Sequence, residues 1–265
     1  MWLCSDLDNT LIYSARHAIG SDRVCVEWYQ GREASFMTGF SYRALCSLPE
    51  TVRFVPVTTR TREQYLRVRF PKEPEFALVC NGGVLLERGA VNEVWYRESL
   101  ALAAPFFEEK ERLHRFLQTD ENRCLEVRDI EGLFLFTKSE DPQATLAGMR
   151  AIVEKAEHEG KAGGKAAGTV AAQRWILACH GNKVYALPGV FEKGAALKRF
   201  CGKYGADRIV AAGDSVFDRS LLAAADVAVT LAGLMRPGET KADGRLVETP
   251  ADAFLSDRIW DWVEG

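Results

Sequence analysis

Apolar and polar positions follow two different rhythms along the chain. Short apolar runs rich in Val, Ile and Phe, each bounded by turn formers or charge, fall at 2–5, 53–58, 76–81, 208–213 and 226–231. Such runs, with little alternation, predict strands buried on both faces, as in a parallel sheet. Helical spacing fills the intervals at 61–70, 194–204 and 218–225. In the second of these, Leu197, Phe200, Cys201 and Tyr204 share a face and Gly205 marks the stop. Strands alternating with helices predict an α/β fold, a doubly wound, Rossmann-like parallel sheet.

From about 84 to 187 the rhythm changes. Helix 105–117 is followed by strands 123–129 and 132–137, then helix 142–158 by strands 174–179 and 183–187. Two helix-strand-strand units in tandem predict an antiparallel sheet with helices on one face, a module able to bury its own core. The reading is therefore a core domain over 1–83 and 188–265 with an inserted α+β cap domain over 84–187. Gly82-Gly83 and Pro188-Gly189 form the joints. Residues 161–168, rich in Gly, Ala and Lys, read as an exposed mobile loop. Residues 23–29 and 32–37 read as a hairpin turning at Gln30-Gly31, placed to overhang the loop that follows the first strand.

Composition narrows the function classes. With 34 basic against 37 acidic side chains in 265 residues and a net charge of −3, the chain has no field that would gather nucleic acid or an anionic membrane. No run approaches the ~18–20 apolar residues of a membrane span, and the N-terminus reaches Asp6 too early for a secretory leader, so a cytoplasmic protein is expected. The 7 cysteines are scattered without a CxxC pair or a cysteine-histidine cluster and read as small buried residues in a reducing compartment.

Four patterns carry candidate chemistry. The first strand runs into Ser5-Asp6-Leu7-Asp8-Asn9-Thr10, two carboxylates at the carboxyl end of a strand, the edge where open α/β sheets bind ligands. The second ends in Thr58-Thr59-Arg60, which also reads as a cap on the following helix. Lys193-Gly194 opens the helix after the insert, where a lysine is commonly solvated. The fourth strand runs into Gly213-Asp214-Ser215-Val216-Phe217-Asp218, where Asp214 could be an N-cap and Asp218 an acid favoured in a first turn. Taken singly, each has a bland explanation. Their order, and their common place at strand ends or a helix start, favour one site over four coincidences.

In this order the residues resemble the haloacid dehalogenase superfamily pattern of DxDxT, a strand-terminal Thr or Ser, a Lys and a final GDxxxD. Asp6, Asp8 and Thr10, then Thr58, Lys193, Asp214 and Asp218 match it. The insert resembles the type-two cap of its sugar-phosphate phosphatase branch, which includes sucrose-phosphatase-like and mannosyl-phosphoglycerate-phosphatase-like proteins. That resemblance implies a Mg²⁺-dependent phosphatase acting on a small phosphorylated metabolite. In it Asp6 is the nucleophile that forms an aspartyl-phosphate and Asp8 the general acid and base. Mg²⁺ sits on Asp6, the Asp8 carbonyl and Asp214. Lys193 supplies countercharge, Thr58, Thr59 and Arg60 meet the phosphate, and Asp218 stands behind the metal or Lys193. The chain departs from the pattern at Phe217, where Asn is common, at Thr59, where Gly is usual, and in a hairpin longer than the expected flap.

A phosphomutase sharing this core, and a binding or regulatory protein on the same fold, are the competing readings. A mutase needs a second phosphate site, whereas the basic residues of the insert are interleaved with acids, as in 108–112, or lie in the Gly-rich loop, as do Lys161 and Lys165. Arg174, His180 and Lys183 are the insert's candidates for contacting substrate.

Overall fold

The structure, a computed structural model, describes residues 1–162, 175–241 and 243–263. Arg174 and Lys165 lie outside them, as does the expected 161–168 loop from residue 163 onward. The chain divides into two compact units, Met1–Trp95 with Glu192–Gly265, and Tyr96–Phe191.

In chain order the first unit opens with β1 (Trp2–Ser5), β2 (Tyr13–Ser14), β3 (Arg23–Tyr29), β4 (Arg32–Thr38) and α1 (Gly39–Cys46). It continues through β5 (Arg53–Pro56), α2 (Arg62–Tyr65), β6 (Phe76–Val79), β7 (Val84–Glu87) and β8 (Ala90–Val91) to the start of α3 (Glu93–Ala103). The second unit holds α4 (Phe107–Thr119), β9 (Arg128–Ile130), β10 (Phe134–Lys138), α5 (Pro142–Ala162), β11 (Trp175–His180) and β12 (Lys183–Pro188). The first unit then resumes with α6 (Lys193–Tyr204), β13 (Ile209–Gly213), α7 (Arg219–Ala223), β14 (Val227–Leu231), β15 (Arg245–Thr249) and α8 (Leu255–Arg258).

A central parallel sheet of five strands in the order β15-β14-β13-β1-β5 organises the first unit, flanked by helices. Every residue of β1 and β13 is buried, which is why neither run alternates with polar residues. Trp2, Phe76 and Phe200 anchor one face, with Phe200 edge-on to Trp2 at 5.1 Å and to Phe76 at 5.3 Å. Such contacts add to the apolar burial itself.

The tertiary contacts redirect several expected elements. The 76–81 run does not join the main sheet as a full strand. β6 pairs antiparallel with β7, which pairs with β8, and a parallel bridge from Leu78 to Val57 links it to the chain just past β5. Residues 84–95 consequently lie with the first unit, beyond the 83/84 boundary drawn from sequence, and Trp95 is fully buried in that unit's core. The fifth parallel strand is β15, which alternates as an edge strand should. The helix expected over 61–70 stops after one turn. The chain pairs with the hairpin instead, Arg69 N–H donating to the Val26 carbonyl at 2.6 Å and Val68 bridging Glu27. Strand 123–129 is interrupted: Arg123 bridges Ser139 and the Cys124 amide donates to the Lys138 carbonyl at 2.9 Å, the Leu125 carbonyl takes the Thr137 hydroxyl at 2.6 Å, and regular pairing resumes at β9.

The second unit is an antiparallel sheet in the order β11-β12-β10-β9. Leu135, Val184 and Ala186 share one of its faces and pack with Leu113 and Leu117 of α4 and Leu146 and Met149 of α5. No helix of the described residues is long and apolar enough to cross a membrane.

Candidate active site

Strand direction sets the site. β1, β5 and β13 are parallel neighbours, so the residues that follow each of them emerge at one edge. Asp6 N–H continues the β13 ladder onto the Ala212 carbonyl at 2.9 Å, and Val57 N–H continues the β1 pairing onto Ser5 at 2.8 Å. Past Asp6 the chain wraps on itself, the Leu7 carbonyl accepting the amides of Thr10, Leu11 and Ile12 at 3.2, 2.9 and 2.9 Å. The buried Leu7, Leu11 and Ile12 tuck this loop under, while Asp8 remains exposed. Thr10 then donates its hydroxyl to Asp214 at 3.0 Å, tying the loops after β1 and β13 together.

The bland readings fail for Lys193, Thr58 and Asp214, whereas Asp218 does stand in the first turn after β13. Lys193 is 1 % exposed, its Nζ 2.8 Å from Asp6 Oδ1 and 2.5 Å from Asp218 Oδ1. Thr58 is fully buried and accepts from the Arg60 amide at 3.1 Å, while α2 is capped by Thr61 in a capping box with Gln64. Ser215, not Asp214, caps the turn after β13. Asp218 Oδ2 accepts from the Ser215 amide at 3.0 Å and its hydroxyl at 2.8 Å. Gly213 has a steric reason, since a Cβ there would stand 2.2 Å from the Asp218 Cβ and push that carboxylate away from Lys193.

Electrostatics separate the carboxylates. Burial, reinforced by Asp218 and Asp214, holds the Asp6 carboxyl well above the usual range even against the adjacent Lys193. Burial opposes the Lys193 charge in turn, but Asp218 and Asp6 outweigh it and raise its pKa, so the lysine stays protonated. Asp6, Asp214 and Asp218 bring one oxygen each within 4.8 Å of one another. One lysine among three carboxylates leaves excess negative charge facing oxygen donors, and that donor set fits a hard divalent cation such as Mg²⁺. Each of the three already has an oxygen engaged, Asp6 by Lys193, Asp214 by Thr10 and Asp218 by Lys193 and Ser215.

Arg60 does not hold its guanidinium apart for an incoming phosphate. Nε and Nη2 grip the two Asp8 oxygens at 2.9 and 2.8 Å, Nη2 also reaches Glu27 at 2.9 Å, and Nη1 donates to the Gln64 carbonyl at 3.2 Å. The sequence reading overlooked Glu27. Its signal was faint, a single acid midway along a strand of the hairpin. Thr59 and Phe217 are half-buried, and His180 and Lys183 are exposed in the second unit.

Comparison with known proteins places this architecture. No family model matches the chain, and no curated protein matches it in sequence. Solved structures do. The sucrose-phosphatase of Synechocystis sp. PCC6803, solved with sucrose and phosphate, superposes at a TM-score of 0.60 over 100 % of this chain and 96 % of its own, at 17 % identity. The chain shares the fold of that sucrose-phosphatase. The trehalose-6-phosphate phosphatase of Aspergillus fumigatus aligns at a TM-score of 0.53 and 14 % identity, covering 99 % of this chain and 91 % of that one. The IMP-nucleotidase of Plasmodium falciparum, solved with IMP, aligns at 0.56 and 10 % identity, covering 99 % and 68 %. At such identities the likeness is one of fold. Within this fold, the loops after β1, β5 and β13 and the start of α6 hold the residues that the sequence patterns singled out.

Proposed function

We propose that the protein is a Mg²⁺-dependent phosphatase that hydrolyses a small phosphorylated sugar or related metabolite through an aspartyl-phosphate. The observation that carries this reading is Asp6, nearly buried, paired with Lys193 at 2.8 Å and facing Asp214 across an excess of negative charge. A carboxylate held so is poorly suited to stabilise the fold and well suited to attack an electrophile once countercharge arrives.

The Asp6 carboxylate attacks phosphorus in line while the bond to the leaving oxygen breaks, and Asp8 gives that oxygen its proton. Asp8, now a carboxylate, takes a proton from the water that attacks the aspartyl-phosphate, releasing phosphate and restoring Asp6. Lys193, held in place by Asp218, offsets charge on the transferring group. The Thr58 hydroxyl, which accepts from the Arg60 amide, has its own proton to donate to a phosphate oxygen, and Thr59 flanks it. Asp6, the Asp8 carbonyl and Asp214 would hold Mg²⁺, whose charge, when bound, draws the phosphate toward an anionic site.

Hydrolysis is favoured over transfer between two positions of a sugar. Lys110, buried in the second unit, is committed to Asp129 at 2.8 Å and the Gly132 carbonyl at 2.6 Å, so it is not available as a second phosphate clamp. The resemblance to phosphatases of phosphorylated sugars supports the substrate class, and a screen of phosphorylated metabolites would name the member. Asp6→Asn should abolish Mg²⁺-dependent release of phosphate while leaving the fold intact, because the amide keeps the shape and is not a nucleophile. Near-normal turnover by that variant, free of contaminating phosphatase, would sink the assignment. Isomerisation of a hexose 1-phosphate, primed by its bisphosphate, outpacing phosphate release would establish a mutase instead.

A further inference from the structure

Glu27 is a carboxylate buried to 3 % exposure on β3, outside every motif that pointed to the site. The pairing of β3 with β4 slips on both sides of Glu27, so the residue sits in a bulge. A bulge breaks the alternation of faces, and here Val26 and Glu27 are buried in succession where a regular strand would turn one of them to solvent. The bulge thus aims an acid at the sheet edge.

Its partners account for the whole carboxylate. Ser35 donates to Oε2 at 2.7 Å, Arg60 Nη2 to the same oxygen at 2.9 Å, and Arg67 Nε to Oε1 at 3.0 Å. Burial disfavours its charge, but the hydrogen bonds and charge of Arg60, with Ser35 and Arg67, prevail and hold it ionised below the usual range. Arg60 is in turn held at both ends, its amide on Thr58 and its fork on Asp8. The Asp8 side chain is 51 % exposed, a setting in which an unrestrained carboxylate samples several rotamers. A bidentate grip fixes its plane, and the proton that Asp8 takes up for the leaving group must sit on a lone pair that the fork does not use, so the grip also sets the direction in which that proton leaves. An internal ion pair serving stability alone is commonly replaceable by apolar side chains without loss, so the Glu27–Arg60–Asp8 chain calls for another purpose.

We propose that Glu27 is a positioning residue which, by anchoring Arg60 from the hairpin bulge, fixes the orientation in which Asp8 delivers its proton to the leaving group. The inference rests on the phosphatase reading and adds to it a part played by the hairpin. Its consequence depends on the leaving group. An alkyl phosphate needs a proton on the departing oxygen, whereas a nitrophenyl phosphate departs without one. The parameter kcat/KM reports the steps up to that departure, so the ratio of kcat/KM for an alkyl phosphate to that for p-nitrophenyl phosphate isolates the proton delivery.

Glu27→Gln keeps the shape and removes the charge that anchors Arg60, and it should lower that ratio about tenfold. In an Asp8→Asn background the same substitution should leave the ratio unchanged, because the group it positions is gone. Arg60→Lys, which keeps a charge but cannot form the fork, should behave alike and carries the test if Glu27→Gln folds poorly. An unchanged ratio in the variants, or a fall that persists without Asp8, would overturn the inference. Turnover surviving Asp6→Asn would instead overturn the phosphatase reading beneath it.

Discussion

Asp6 and Lys193 define the chemistry at the scale of single residues. The two charges are buried together, yet Lys193 divides itself between Asp6 and Asp218, so Asp6 is only partly compensated. With its pKa raised by burial and by Asp218 and Asp214, Asp6 binds a proton more readily than a free carboxyl does. A metal that requires the ionised form must displace that proton. Mg²⁺ should therefore raise the melting temperature at neutral pH, by an amount that corresponds to about 2.7 kcal/mol when Mg²⁺ is a hundredfold above its Kd. The increment should shrink as pH falls through the elevated Asp6 value, and Asp214→Asn should remove most of it. Thermal melts with and without Mg²⁺ across pH check both expectations. That Asp6, Lys193, Asp214 and Asp218 meet at one edge was legible in the sequence, because the patterns holding them fall at strand ends or a helix start. Glu27 was not, because an acid in a strand points to nothing until its partners are known.

At the scale of elements, the hairpin β3–β4 is the segment whose shape matters most to the site. Its bulge, the truncation of α2 and the pairing of 68–69 with 26–27 form one arrangement, in which Arg60 and Arg67 are delivered to a single acid. The sign of the pH dependence follows from the depressed Glu27 carboxyl. A group whose folded pKa lies below its unfolded value contributes stability above the unfolded value, near 4.5, and loses it as pH falls through the folded one. The acid limb of the stability curve should therefore flatten in Glu27→Gln, the variant and the wild type converging at low pH and differing most near neutrality. Denaturant unfolding between about pH 3 and 7 measures this. A steep acid limb unchanged by the substitution would show that other carboxylates carry it.

The whole molecule is two units with separate cores. Phe200 and its aromatic neighbours fill one, while Leu113, Leu135 and Met149 belong to the other. Met149 is fully buried, so Met149→Ala should cost about 2–5 kcal/mol of local stability. Because the candidate site lies wholly in the first unit, that loss should appear as faster hydrogen exchange within 96–191 while Mg²⁺ still protects the loops after β1 and β13. Uniform loss of protection over both units would show that they unfold as one.

What the amino-acid order determined by itself was local. The run Trp2-Leu3-Cys4, with no alternation, had to be a buried strand, acids at its carboxyl end had to lie at the sheet edge, and tandem helix-strand-strand patterns had to build their own layer. Pairing was another matter. Val, Leu and Phe in β6 fit either a parallel centre or an antiparallel turn, and only the contacts of β7 and β5 chose between them. The same holds for β15 at the sheet's edge, for the 84–95 segment that joined the first unit, and for Arg60, which meets Asp8 and Glu27 across 52 and 33 residues of chain. Backbone propensity and periodicity act over one turn or one strand. Strand partners and buried ion pairs are chosen by which distant surfaces lose their water together, and that is settled only when the chain has closed on itself.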